Sequence, residues 1–274
     1  MSLPPLVSSS DFIVETLEQP IQIVYEDPYF VAVFKPAGLM VHRGPNTMPE
    51  EPVLLQVLRD QLNRFLYPIH RLDRPTAGLI LFALDSKTAS KLGEMFMGHR
   101  IAKHYQALVR GFMPDEHTEH RPLVDRDATK RAIQKGSPSG SFAADREVSG
   151  NSDEPGQTAT THFRCLTRYE VPWQLGEFPS AQFSLLEVHP VTGRWHQIRR
   201  HLNHMSHPVI GDHRHGDHRW NQTFFEGTGE YRMMLTAMRL DFRHPFTDEW
   251  VTLWVPRGES FDAALQRLEP HRLP

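Results

Sequence analysis

The stretch "IHRLDRPTAGLILFAL", residues 69–84, joins a charged turn to an apolar strand and decides which fold we expect. Asp73 lies between Arg71 and Arg74, and "GLILFAL" follows shortly after. A run this short and this apolar predicts a buried strand. Positive charge beside a carboxylate favours its charged form, so we interpret Asp73 as a carboxylate held for chemistry. The alternative is a loop aspartate paired with Arg71 or Arg74, but exposed ion pairs contribute only about 0–1 kcal/mol.

The order of the remaining elements predicts an α+β protein with mixed strands and inserted helices, not alternating β-α units. "IQIVYEDPYFVAVFKP" predicts a hairpin around Asp27-Pro28. Helical spacing occurs in "EPVLLQVLRDQLNRFL" and in "DSKTASKLGEMFMGHRI", the latter with Asp85 or Ser86 as N-cap. Further strands are predicted at "AKHYQALVRGF", "ATTHFRCLTRYEV", "AQFSLLEVHPV", "MMLTAMRLDF" and "EWVTLWVP", and further helices at "GRWHQIRRHLNHMSH" and "SFDAALQRL".

The composition limits the classes of protein to consider. The 274 residues carry a formal net charge of -3. This charge argues against a protein that binds polyanions through its overall charge, but it is compatible with a local basic face. No run of about 18 apolar residues occurs, so we expect no membrane span. Cys165 is the only cysteine, which excludes an internal disulfide. The N-terminus lacks the basic and apolar regions of a signal peptide, which predicts a cytoplasmic protein.

Two segments are predicted to lie outside the main body of the fold. Residues 1–20 carry Pro and Ser with little periodicity and are interpreted as a flexible leader. The chain turns polar again from about 113 to 157, around "QKGSPSGSF" and "SGNSDEPGQ", which predicts a surface insertion. Residues 21–274 are then one domain that carries this insertion.

A second charged stretch runs from 189 to 221. It holds eight histidines and five arginines against two aspartates. Imidazole is a common zinc ligand, and His213, His215 and His218 are close enough in sequence to chelate, so a zinc- or manganese-dependent hydrolase is one alternative. The interleaved arginines would repel a cation, and a basic surface that follows phosphates explains the same residues better. We therefore predict no metal.

Two further stretches carry weaker signals. Tyr105, in "KHYQALVRG", is either a packing residue of a strand or a ring that stacks under a base. In "FKPAGLMVHRG", residues 34–44, Lys35 and His42 are candidates for phosphate contact. Each signal alone is weak.

Together the motifs resemble those of the RluA-type pseudouridine synthases. "KPAGLMVH", "HRLDRPTAG", "KHYQALVRG", "TGRWHQIRRHL" and "HPVIGD" occur in the order and spacing of that family, and the resemblance runs from about Ile21 to Pro256. "HPVIGDHRHGDHRWN" is most similar to the branch that modifies uridine 65 of tRNA. The resemblance implies a pseudouridine synthase fold, in which flanking helices surround a mixed, largely antiparallel sheet with a central catalytic cleft, and no S4-type domain before it.

The resemblance also implies the roles of single residues. Asp73 would be the catalytic aspartate, Tyr105 the active-site tyrosine, and Arg199 the arginine that pairs with the aspartate. Arg71 would occupy the gap left by a flipped base. No cofactor is implied, the partner is tRNA or alternatively ribosomal RNA, and we expect a monomer. A binding module that kept the fold without activity is a third alternative, against which the intact Asp73, Tyr105 and Arg199 argue. The residues predicted to bind RNA are Arg71, Arg74, Lys103, Arg194, Arg200 and His196.

Three positions depart from the family pattern. Ala77 stands where serine is usual, Trp195 where a smaller or basic residue is common, and Thr236 where histidine is typical. None of these changes removes a catalytic group. Trp195 and Thr236 are expected to alter RNA contacts or local packing.

Overall fold

A computed structural model of the chain describes residues 20–44, 47–48, 50–124 and 156–274. Among them no helix has both the length and the apolar character needed to cross a bilayer. Most of the predicted leader, residues 1–19, and most of the predicted insertion, residues 125–155, lie outside the described residues.

Ten strands of the described residues form one sheet in the order β1-β2-β4-β9-β5-β8-β7-β6, with β10 paired to β9 and β3 paired to β4. The pair β4–β9 is parallel, and the other pairs are antiparallel. The predicted α+β class with a mixed, largely antiparallel sheet is therefore confirmed. The strands are β1 Ile23–Glu26, β2 Phe30–Lys35, β3 Tyr67–Pro68, β4 Ala77–Ala83, β5 Ala102–Arg110, β6 Glu116–His120, β7 Thr160–Val171, β8 Ala181–Pro190, β9 Leu235–Arg243 and β10 Trp250–Trp254.

In the described parts of the chain, five α-helices cover the sheet, and a 3-10 turn, Glu269–His271, follows the last of them. Buried residues of the first helix pack with Ile80 and Phe82, whereas buried residues of the second pack with Leu79 and Leu81. Strand β4 is therefore buried on both faces, as its apolar sequence predicts. The helices are α1 Leu54–Leu62, α2 Ser86–Met97, α3 Gln197–His204, α4 His218–Thr228 and α5 Glu259–Leu268.

The remaining helices lie on the other half of the sheet. Helix α3 packs Ile198 and Leu202 against β5 and β8, while α4 and α5 pack against β7 and β8 through a second cluster that contains Phe183. Strand β4 therefore lies in one half of the sheet and α3 in the other. Asp73 precedes β4 and Arg199 belongs to α3, so their approach depends on the strand order and not on local sequence.

Two predicted boundaries differ from the structure. Helix α3 begins at Gln197 and not at Gly193, because His196 has left-handed backbone angles (φ 50°, ψ 31°) that a helix cannot continue from. The sheet also extends into the segment predicted as an insertion: β6 pairs with β7 at Glu116–His120. This strand lies at the edge of the sheet and consists of polar residues that alternate between exposed and half-buried. It therefore has no apolar pattern from which a strand could be predicted.

Candidate active site

The turn that carries Asp73 is fixed from beneath by a buried lysine. Lys35 is fully buried, and its Nζ donates to the carbonyls of Pro36 and Leu39, both at 2.8 Å, and of Arg74 at 3.1 Å. The carbonyl of Asp73 accepts from the backbone N–H of Thr76 at 3.0 Å. Lys35 was a weak candidate for phosphate contact; its position instead makes it a structural residue, because a buried ammonium must be satisfied by acceptors.

Asp73 receives its ion pair from a distant segment. Arg199 donates from Nη1 to Asp73 Oδ2 at 3.0 Å. The side chain of Arg199 is 4% exposed and that of Asp73 is 21% exposed, so the carboxylate is the part of the pair that solvent or a substrate reaches. Arg74, which adjoins Asp73 in sequence, donates to the carbonyl of Gly38 at 2.9 Å and to Glu51 at 2.7 Å.

Asp212 holds Arg199 from the other side. Arg199 donates from Nε to Asp212 Oδ2 at 2.7 Å and from Nη2 to Oδ1 at 2.8 Å, a two-pronged arrangement that fixes the guanidinium plane. Burial raises the pKa of Asp212, but the hydrogen bonds and charge of Arg199 outweigh it and hold that pKa below its usual value. Asp212 also accepts from the backbone N–H groups of Arg214 and His215. One buried carboxylate therefore organises both the arginine and the loop that follows.

A pair of histidines lies beside Asp73. His196 Nε2 is 3.7 Å from Asp73 Oδ1, and His196 Nδ1 is hydrogen-bonded to His215 Nε2 at 2.8 Å. Burial, followed by the positive charge of Arg199, lowers the pKa of His196 far below its usual value. Burial also lowers the pKa of His215, to about 4. Both imidazoles are therefore neutral near pH 7, and Trp195 stacks on His196 with ring centroids 3.7 Å apart.

Tyr105 lies within electrostatic reach of the carboxylate. It belongs to β5, next to an irregularity in the β5–β9 register between His104 and Tyr105. Burial, with a smaller contribution from the charge of Asp73, raises the pKa of the Tyr105 phenol well above its usual value. The phenol is therefore protonated at neutral pH, and its ring offers an apolar face with a hydrogen-bond donor at the edge.

Asp73, Tyr105, His196 and Arg199 line one cavity of about 620 Å³. Its wall includes all the residues predicted for catalysis or RNA binding except Arg74, whose guanidinium binds Gly38 and Glu51; the two weaker candidates, Lys35 and His42, also lie outside the wall. Burial, followed by the positive charge of Arg194, lowers the pKa of Lys103 to about 8. The predicted residues in the wall are Arg71, Asp73, Lys103, Tyr105, Arg194, His196, Arg199 and Arg200.

The three histidines predicted as possible chelators, His213, His215 and His218, do not form a metal-ligand group in the described part of the chain. There, one group of three residues has ligand atoms within 4.8 Å of one another, and it comprises His104, Glu187 and His189. His213, His215 and His218 are not part of it. His215 instead contacts His196 in the wall of the cavity.

A family model described as RNA pseudouridylate synthase matches residues 29–204, more than half of the chain. The chain belongs to this family. The predicted membership of the pseudouridine synthases, which are isomerases, is therefore confirmed.

Relatives of similar length carry a more specific name. The tRNA pseudouridine synthase C of Vibrio parahaemolyticus is 38% identical over 252 residues, which cover 91% of this chain and 95% of the relative. That of Salmonella typhimurium is 38% identical over 248 residues, covering 89% of this chain and 88% of the relative. Among solved structures, human RNA pseudouridylate synthase domain containing 4 has a TM-score of 0.65 at 25% identity, covering 90% of this chain and 93% of that one.

Two residues that fix this synthase's candidate site were not predicted from the sequence. Asp212 and Lys35 both lie in the family-like motifs, but Asp212 acts through Arg199, 13 positions away, and Lys35 through the carbonyl of Arg74, 39 positions away. Asp212 carried the better signal, since it is one of only two acidic residues between positions 189 and 221. A carboxylate in a stretch with so few acidic residues is a candidate partner for one of its arginines.

The three departures from the family pattern also find places in the structure. Ala77 pairs with Thr236 where β4 meets β9. Thr236 is buried, donates to the carbonyl of Arg257 at 3.1 Å and accepts from Arg232 at 2.9 Å, so it packs and bonds locally. Trp195 lines the cavity, with Arg214 over its ring at 4.9 Å.

Proposed function

We propose that this synthase isomerises uridine 65 of tRNA to pseudouridine, with Asp73 as the catalytic carboxylate. The observation that carries the proposal is the Asp73 carboxylate in the cavity wall, paired with Arg199 and close to the protonated phenol of Tyr105. The name shared by the relatives supports tRNA as the RNA, and the resemblance of "HPVIGDHRHGDHRWN" to one branch supports position 65.

The reaction needs no oxidant and no net loss of atoms. The C1'-N1 bond of uridine breaks, the uracil turns, and a C1'-C5 bond forms; C5 loses a proton and N1 ends with one. Positive charge develops at C1' when the first bond breaks. A carboxylate beside the ribose either stabilises this charge or forms a covalent bond to C1', as in glycosidases. Removal of the 2' proton or attack on the base would use the same carboxylate.

The other residues of the site have distinct parts in this proposal. Arg199 orients Asp73 through a charge-assisted hydrogen bond. Tyr105 stacks on the uracil ring, and its hydroxyl assists the transfer of the C5 proton. His196 contacts Asp73 from the other side. Tyr105 belongs to β5, Arg199 belongs to α3, and His196 directly precedes α3.

The substrate base must leave its helix to reach this cavity. Flipping a paired base costs a few kcal/mol, which phosphate contacts and stacking offset. Arg71 is exposed at the cavity and is proposed to fill the vacated space. Lys103, Arg194 and Arg200 provide the positive charge that phosphates require, and A-form RNA is recognised by shape and 2'-hydroxyls.

The test is to incubate the purified protein with a tRNA transcript, with the same transcript carrying cytidine at position 65, and with ribosomal RNA. Pseudouridine is then mapped by chemical labelling and primer extension. We expect modification of the first transcript at position 65 and no modification of the second. Modification of ribosomal RNA with none in tRNA would contradict the proposed substrate, and no pseudouridine in any RNA would contradict the proposed activity.

A further inference from the structure

The far side of strand β5 carries a cluster of possible ligands that the proposed reaction does not use. Lys103 and Tyr105 line the cavity, whereas His104, between them, does not. Neighbouring side chains of a strand point to opposite faces of its sheet. On that other face His104 meets two side chains of β8, Glu187 and His189, and the rings of His104 and His189 contact edge to face with centroids 4.2 Å apart.

We propose that His104, Glu187 and His189 bind one divalent transition-metal ion, with Zn²⁺ as the ion that this donor set favours. One ligand atom from each residue lies within 4.8 Å of the other two, so small side-chain rotations bring all three onto a single ion. Two imidazole nitrogens and one carboxylate oxygen form a zinc-type set. Mg²⁺ and Ca²⁺ prefer oxygen ligands and are disfavoured here.

The residue behind His104 supports this proposal. Asp241 Oδ2 lies 2.9 Å from His104 Nε2, and Asp241 is only 4% exposed. Asp241 is itself held by Arg239 and by the hydroxyl of Thr252, both at 2.8 Å. Metal-bound histidines usually donate their other N–H to such a carboxylate, which fixes the ring and its tautomer. With Nε2 bonded to Asp241, Nδ1 of His104 is the nitrogen left for the ion.

One neighbouring charge limits the affinity of the site. Arg164 donates to Glu187 Oε2 from Nε at 2.9 Å and from Nη2 at 2.6 Å. A cation bound to Glu187 is repelled by this guanidinium and competes with it for the carboxylate. Removal of the guanidinium should therefore strengthen metal binding, an effect opposite to that of removing a ligand.

The experiment uses the full-length protein, stripped with EDTA and dialysed, and titrates it with ZnCl₂ by calorimetry. We expect one site per chain, at least about tenfold weaker binding in His189→Gln and in Asp241→Asn, and tighter binding in Arg164→Gln. Addition of Co²⁺ in place of Zn²⁺ should give visible absorption bands in the wild type that His189→Gln lacks. Zinc should raise the Tm of the wild type but not of His189→Gln.

The control is His162→Gln. His162 lies opposite His189 on β7, on the same face of the sheet, but is not one of the three proposed ligands. We expect its zinc affinity to match that of the wild type. Equal losses in His162→Gln and His189→Gln would show diffuse binding by surface histidines and overturn the proposal, as would an unchanged affinity in His189→Gln.

Discussion

Asp73 lies at the end of a series of charged side chains that begins in the protein interior. Asp212 is buried, Arg199 is nearly buried, and Asp73 is the partly exposed member. Loss of one partner from a buried pair costs about 3–5 kcal/mol, because the other charge is left uncompensated. Arg199 is therefore held by Asp212 whether or not RNA is bound, and it presents a fixed donor to Asp73.

His215 links Asp212 to Asp73 by a second route, through His196. Its backbone N–H donates to Asp212, and its imidazole bonds to His196, which contacts Asp73. We predict that His215→Ala lowers kcat about tenfold and changes KM less than threefold, because it frees His196 without removing a phosphate contact. Steady-state kinetics with tRNA as the substrate measures kcat and KM separately. His213→Ala, two residues away, keeps the hydrogen bond between His215 and His196 and should behave as the wild type; a wild-type kcat in His215→Ala would contradict this role.

Lys103 should give the enzyme a pH limit. Burial lowers its pKa to about 8 in the free protein. The side chain is therefore charged below pH 8 and neutral above it, so its attraction for phosphate is lost as the pH rises. We predict that kcat/KM, which reports on the free enzyme, falls between pH 7.5 and 9 and that Lys103→Arg extends the plateau, since arginine stays charged. If Lys103→Arg left the pH profile of kcat/KM unchanged, the fall at high pH would belong to the titration of another group.

At the scale of elements, the sequence predicted most of the units that build the fold. The apolar run of β4 is buried as expected, and Asp85 caps α2 by accepting from the backbone N–H of Thr88 at 2.9 Å. These features are local, so the sequence alone contains them. The same holds for the residues around Asp73, which the motif placed at the mouth of β4.

One helix and one long-range contact were not predicted from local sequence patterns, for different physical reasons. Helix α4 has a capping residue at each end: Asp217 caps its N-terminus, and Gly229 ends it with φ 81°. The helix was not predicted because its first residues belong to the charged, histidine-rich stretch. The pair of Asp73 with Arg199 spans 126 positions and depends on the parallel meeting of β4 and β9. No local pattern specifies that contact, so only the resemblance to a family predicted it.

Gly78 permits the close approach of β4 and β9. It has φ 116°, and a Cβ there would lie 2.2 Å from the carbonyl oxygen of Ala237. We predict that Gly78→Ala lowers the free energy of unfolding by about 2–4 kcal/mol, since backbone strain and overlap add. Denaturant titration measures it. Gly176→Ala is the control, because Gly176 also has a positive φ (62°) but nothing lies within 4 Å of the added Cβ. It should lower the free energy of unfolding by less than Gly78→Ala does. Equal losses would rule out the overlap.

At the scale of the whole molecule, charge is distributed unevenly. The chain has a net charge of -3, yet the cavity wall gathers Arg71, Lys103, Arg194 and Arg200. A local field of this sign attracts RNA phosphates even when the global charge does not. Three described residues of the polar segment 113–157 also line this wall: Leu123, Val124 and Gln157.

We predict that tRNA affinity falls steeply with salt and that one wall arginine accounts for part of the slope. Arg194→Ala should weaken binding and reduce the slope of log K against log salt concentration by about 1, the value for one phosphate contact. Filter binding across a salt series measures both quantities. Arg272→Ala, in an exposed pair with Glu269 away from the cavity, should leave the slope unchanged. A wild-type slope in Arg194→Ala would remove Arg194 from the RNA interface.

The most direct measurement is the single-turnover rate of pseudouridine formation by Asp73→Asn, together with its tRNA affinity. Asparagine keeps the size of the side chain and an oxygen that accepts from Arg199, but it removes the charge. We predict tRNA binding within a few-fold of the wild type and no detectable pseudouridine at position 65. Turnover at a rate near that of the wild type would show that the carboxylate of Asp73 is not the catalytic group.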